Sequence, residues 1–251
     1  MGALGSRLLG SPGHFHPHFS ADPFGFHGLY DLAPTRQRLR ELVDFTRLNG
    51  GDMRVTIAAT DLATGEAVLF DSQREAIGVD HILASCGFIP EFAPVRIGDR
   101  WLGDGGLSLN APFDPILASD EPLRLYIVDL YPRDGAIPNG LEAAAERKSD
   151  LLFGNQTFQR LRYAVESRRL RLALAGTSDV TDEIYLLSYR PGAEEAGPGK
   201  SFDFSAAGLA QRWRAGGLDL QEAHAAAISD AGIRVVRRKP QKAPSPVLAA
   251  E

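Results

Sequence analysis

Between residues 123 and 130 the chain reads LRLYIVDL, an apolar run interrupted only at Arg124 and Asp129. A short run of that kind, rich in branched and aromatic side chains, predicts a strand covered on both faces. Residues 53–60 (MRVTIAAT) and 183–189 (EIYLLSY) carry a similar signature. Strands that need cover on both sides, separated by helical stretches, leave few choices: the chain should fold as α/β layers.

The connecting segments fit that frame. Residues 35–48 place Leu39, Leu42, Val43 and Phe45 at helical intervals, and Asn49-Gly50-Gly51 should end the helix. Asp61-Leu62-Ala63-Thr64-Gly65 reads as a turn returning the chain along a partner strand, 66–70. A short apolar helix is expected over 79–87, then extended chain imposed by Pro90 and Pro94. A hairpin of 95–97 and 100–102 about Gly98-Asp99 follows. Further on, 140–174 reads as one or two amphipathic helices. Ser205 reads as the N-cap of a helix reaching Trp213 and stopped by Gly216-Gly217, and 219–229 as a last helix. The Gly-rich stretch 192–199 reads as a flexible turn, and the basic, then Pro/Ala-rich tail from Arg234 as disordered. The first thirty residues hold Pro12, Pro17 and Pro23 and show no sustained period, so no helix is expected there. Their phenylalanines would lie exposed unless something upstream packed on them.

Composition removes several functions. A net charge of −5 offers nothing to neutralise a run of phosphates, which argues against a nucleic-acid partner. The local basic stretch Arg168-Arg169-Leu170-Arg171 reads as a solvated helix face. Cys86 is the one cysteine, so neither an internal disulfide nor a cysteine-based zinc site can form. No run approaches the ~20 apolar residues that span a bilayer. The N-terminus also lacks the charged-then-apolar order of a signal peptide. A cytoplasmic protein is expected, with peripheral membrane contact open.

The chemistry-bearing stretch runs from Ile82 to Pro112. It holds Ala84-Ser85-Cys86-Gly87, then Pro90-Glu91-Phe92-Ala93-Pro94-Val95, and then the hairpin with Trp101. Gly103-Asp104-Gly105-Gly106 and Asn110-Ala111-Pro112 complete it. Alone, an Asp-Gly-Gly is most simply an Asx-turn that closes a hairpin. Together and in this order, the elements resemble the patatin-like phospholipases. Pro12-Gly13-His14-Phe15, 26–33, Leu42-Val43-Asp44-Phe45 and 49–64 resemble a bacterial subgroup of that family with an extra C-terminal domain. Glu146-Arg147-Lys148-Ser149-Asp150 is similar to the start of that domain.

The resemblance implies a three-layer α/β/α patatin-like domain truncated at its N-terminus (1–132), a small α/β C-terminal extension (133–233) and a disordered tail (234–251). It implies hydrolysis of acyl esters in lipids by a serine–aspartate dyad, with no metal or organic cofactor. A serine hydroxyl is a weak nucleophile near neutral pH and needs an adjacent base. Asp104 matches the family aspartate that fills this role. Its motif neighbours Gly105 and Gly106 would let the backbone turn sharply and admit an acyl group.

The nucleophile itself is missing. The family serine sits in Gly-x-Ser-x-Gly on a strand-to-helix turn. Ser11 (Gly10-Ser11-Pro12-Gly13), Ser108 (Leu107-Ser108-Leu109-Asn110) and Ser178 (Thr177-Ser178-Asp179-Val180) all fail to complete that motif. The glycine-rich oxyanion segment of the family is absent as well, and it normally supplies a large share of the catalysis. This chain alone should not hydrolyse esters. Either the nucleophile half lies upstream of Met1 in the intact protein, which the loop-like apolar N-terminus favours, or the product is a hydrolytically dead remnant that binds lipid or protein.

Two other groups invite chemistry. His14, His16 and His18 alternate and would share one side of an extended segment, but no acidic or cysteine ligands stand near them. Cys86 and His81 lie five apart, off a common helix face, so Cys86 reads as a small buried packing residue.

Overall fold

A helix opens the chain where none is expected: α1 (Ala3–Leu9) precedes the first proline and closes on Gly10, whose φ of +80° and N–H bond to the Ser6 carbonyl form a left-handed cap. The structure is a computed structural model that describes residues 3–18, 28–177, 181–189, 203–229 and 232–236. The expected turn at 192–199 and the tail beyond 236 lie outside them. Two units emerge, Ala3–Phe113 and Asp114–Glu251. Both mix helices with sheet, the α/β class read from the sequence.

In the first unit, β1 (His16–Pro17) pairs with β2 (Tyr30–Asp31), and Phe15 is not left bare. It is 5% exposed, with its ring 4.9 Å from Tyr30 and 5.9 Å from Phe92, so cover comes from within the chain. The helix expected over 35–48 divides. Pro34 stands in the first turn of α2 (Ala33–Leu42), whereas Asp44 interrupts the run and caps a second helix, α3 (Phe45–Leu48), accepting the Arg47 N–H at 3.0 Å.

The unit's main sheet follows. β3 (Thr56–Asp61) and β4 (Ala67–Asp71) pair through the expected turn, where Gly65 takes φ +75° and donates its N–H to the Asp61 carbonyl. After α4 (Val79–Ser85), the hairpin of β5 (Val95–Ile97) and β6 (Arg100–Asp104) completes an antiparallel sheet in the order β4-β3-β6-β5. Ala59, Phe70, Ile77, Ala84 and Leu102 form its core, each 2% exposed or less. Between α4 and β5 the chain turns at 89–91 about a cis Ile89–Pro90 peptide instead of running extended, and Phe92 N–H bonds the Phe88 carbonyl.

The second unit is a β-α-β-α-β run after a short helix, α5 (Asp114–Leu117). Strands β7 (Arg124–Asp129), β8 (Glu183–Ser188) and β9 (Ile233–Val236) form a parallel sheet in that order. Arg234 thus belongs to a strand and not to the expected disordered tail. The first crossover contains one helix, α6 (Leu141–Leu174), whose buried residues Phe153, Thr157, Leu161, Val165, Arg168 and Leu172 recur at helical spacing. The second contains α7 (Ala206–Ala223). Ser205 caps it as expected, accepting the Gly208 N–H at 3.1 Å, but the helix runs through Gly216-Gly217 to Ala223. Neither glycine has a positive φ, and burial of Ala215, Asp219 and Ala223 holds one continuous face against the cost of the glycines.

One expectation fails on β7. Leu125 and Ile127 are buried, but Tyr126 is 38% and Val128 69% exposed, so its second face is open.

Candidate active site around Asp104

Asp104 is the last residue of β6, held in place from three sides. Across the sheet it stands opposite Ala59 of β3, and its N–H bonds the Gly87 carbonyl just past α4 at 3.1 Å. The Thr60 hydroxyl donates to its carbonyl oxygen at 2.7 Å and meets the Ser108 hydroxyl at 2.8 Å. Thr60 and Ser108 carried no signal in the sequence: their meeting depends on a strand register that joins residues 48 apart.

Next to it, Gly105 is buried and begins a 3-10 turn, Gly105–Leu107. A Cβ on Gly105 would lie 2.4 Å from the Ala58 carbonyl oxygen. The requirement for glycine is therefore close approach of backbone to backbone. Neither Gly105 nor Gly106 has a positive φ, so the sharp turn expected of them is not the reason for the residue type.

The carboxylate does two things at once. Oδ1 accepts the Gly106 N–H at 2.6 Å, the Asx-turn that a bare Asp-Gly-Gly predicts. Among the described residues, Oδ2 accepts no hydrogen bond. Burial pushes the carboxyl above its ordinary value, and the Gly106 N–H pulls only partly the other way. A half-buried, anchored carboxylate with raised proton affinity is suited to accept a proton. No described serine bonds it; the Ser108 hydroxyl is engaged with Thr60.

Cys86 lies at this site but differs from its expected role. It has an exposed surface instead of being packed away. Crowding by surrounding protein and, secondarily, the Asp104 charge push its thiol up to about 11, which leaves it a poor nucleophile near neutral pH. His81 is engaged elsewhere: its Nδ1 accepts the Gly78 N–H at 2.8 Å and its ring packs edge-on against Phe70. His14 sits 3.4 Å from the Ser11 hydroxyl, and among the described residues no three His, Cys, Asp or Glu side chains converge as a metal site would require.

Comparison with models of protein families matches residues 13–117 to the patatin-like phospholipases. The matched stretch contains the Asp104 site and is similar to the family read from the Asp-Gly-Gly run. No curated protein matches the chain. Among the described residues, no helix is long and apolar enough to cross a membrane.

Proposed function

We propose that this chain is the aspartate-bearing part of a lipid acyl hydrolase. In this reading Asp104 accepts a proton from a serine hydroxyl through Oδ2, while the Gly106 N–H holds Oδ1 and fixes the plane of the carboxylate. The serine then attacks the acyl carbonyl, an acyl-enzyme forms as the alcohol leaves, and water releases the fatty acid. The serine comes from polypeptide outside these 251 residues, since no Gly-x-Ser-x-Gly occurs within them. Residues 133–233 are read as an extension of undefined role, and lipid substrate implies peripheral contact with a membrane.

The observation that carries this reading is a carboxylate anchored through one oxygen and, among the described residues, accepting no hydrogen bond at the other, in a segment matched to a hydrolase family. The test pairs p-nitrophenyl butyrate turnover with labelling by a fluorophosphonate. The 251-residue chain should show neither. A longer product reading through from an upstream Gly-x-Ser-x-Gly should show both, and Asp104→Asn should lower its turnover by about 10²–10⁴-fold. Undiminished turnover in that variant would exclude Asp104 as the base.

The missing serine also supports a second reading, a non-catalytic remnant that binds lipid or protein. A stop codon shortly upstream of Met1, with no ester turnover from the natural product, favours it.

A further inference from the structure

The open face of β7 is one wall of a cleft. Tyr126, Val128 and Leu130 project at every second residue along that face, and α7 forms the facing wall with Gly216 and Leu220. Because β7 pairs with β8, the same face continues onto Tyr185 and Leu187, and there Ala223 of α7 covers it. The helix therefore packs against β8 and leaves β7, with Leu187 and Tyr189 beside it, as the floor of a trough. Its volume is about 650 Å³, within the range of small-molecule sites and far short of what a docked helix or domain needs.

The polar groups are segregated. At one end His224 stands 3.4 Å from the Tyr126 hydroxyl and 3.3 Å from that of Tyr185, the two tyrosine rings being stacked 4.8 Å apart. Toward the other end lies Arg212, twelve residues earlier on α7 and so about 18 Å away along the helix axis. Arg212 donates through Nη1 to the Asp203 carbonyl at 2.8 Å, which fixes the guanidinium beside the cleft. Asp219 also lines the trough, nearer the His224 end, where its charge disfavours an anion. An apolar floor with Arg212 toward one end, its charge partly met by the Asp203 carboxylate, fits a ligand with a long apolar part and an anionic head.

We propose that this cleft binds a single long-chain fatty acid, its chain along Val128, Leu130 and Leu220 and its carboxylate toward Arg212. The proposal stands on the geometry of the second unit and does not depend on the role assigned to Asp104.

Two adjacent glycines give the test. A Cβ on either Gly216 or Gly217 would meet nothing within 4 Å, and both have helical backbone, so larger residues are accommodated at each. Only Gly216 lines the cleft. The full chain should bind cis-parinarate with a saturable fluorescence rise at one site, displaced by palmitate. Gly216→Trp should weaken binding by at least about tenfold, while Gly217→Trp should stay within about twofold. Arg212→Gln should weaken palmitate more than the uncharged hexadecanol. Circular dichroism of each variant confirms the fold. The proposal is overturned by no saturable binding, by equal loss in the two tryptophan variants, or by Arg212→Gln weakening palmitate and hexadecanol alike. It is also overturned if the cleft instead joins two copies, seen as concentration-dependent dimerisation that Gly216→Trp abolishes without any fatty-acid binding.

Discussion

Gly105 and the Ala58 carbonyl stand so close that a methyl group on the first would lie 2.4 Å from the oxygen of the second. The contact is between backbones of adjacent segments, so no side chain can rotate away to relieve it. Gly105→Ala should destabilise the chain by about 1–3 kcal/mol, as overpacking of a filled site does. Urea unfolding measures it, and an unchanged midpoint would show that β3 yields without cost.

Asp104→Asn separates the turn from the proton chemistry. An asparagine oxygen still accepts the Gly106 N–H, so the local geometry should persist. Burial raises the folded-state carboxyl pKa above its unfolded value, so the folded state holds its proton more tightly. Native Asp104 therefore favours folding most below the unfolded pKa, and that contribution is lost as pH rises through the folded value. Relative to the wild type, Asp104→Asn should gain stability as pH rises from about 4 toward 7. Thermal melts across that range test the sign; a gap that narrows with rising pH contradicts it.

Local signals were legible and long-range ones were not. Gly65, Ser205 and the Gly98-Asp99 hairpin act within a few residues of themselves, and each stands where the sequence predicts. Within the Asp-Gly-Gly run, the turn from Asp104 to the Gly106 N–H is equally local and is the one a bare Asp-Gly-Gly predicts. What escaped depends on distant partners. Gly216-Gly217 look like a helix stop until Asp219 and Ala223 are seen to be buried on the same face. Arg234 looks like part of a basic tail until β8 offers a strand to pair with. Arg168 looks like one of several solvated arginines, yet it is 1% exposed.

That arginine is a structural tie. Its guanidinium binds the Asp182 carboxylate through Nε at 2.7 Å and Nη2 at 2.9 Å, and it also bonds the carbonyls of Ser119 and Glu121 ahead of β7. Burial alone would raise the Asp182 carboxyl. The hydrogen bonds from Arg168 and the Leu123 N–H, with the Arg168 charge, outweigh it and hold the group below its usual value. Arg168→Met should cost about 3 kcal/mol, the low end for a broken buried pair because Asp182 keeps some solvent access. With the folded pKa depressed, the wild-type contribution is full above the unfolded value and lost as pH falls through the folded one. The difference between wild type and variant, read by urea midpoints, should shrink on acidification; a constant difference would mean that Arg168 acts through packing alone.

Thr60 tests whether the Asp104 site is built as a unit. Its side chain is 4% exposed and links the Asp104 carbonyl to the Ser108 hydroxyl. Thr60→Val keeps the shape but leaves a carbonyl and a hydroxyl short of a partner, which costs about 1–3 kcal/mol when both are shielded from water. Thr60→Ser retains the hydroxyl and loses only a methyl group, so its cost should be smaller and it should preserve the link. If both variants are equally destabilised, the methyl contact matters and the hydrogen bonds do not. If only valine is costly, the strand register of β3 and β6 is pinned by this hydroxyl, and amide exchange at Asp104 and Ser108 should quicken in the valine variant alone. That pairing matters for the chemistry because the Asp104 carboxylate is carried by the same residue whose carbonyl Thr60 holds. A loosened carbonyl lets the whole residue rotate, and with it the carboxylate oxygen to which the proposed function assigns proton transfer.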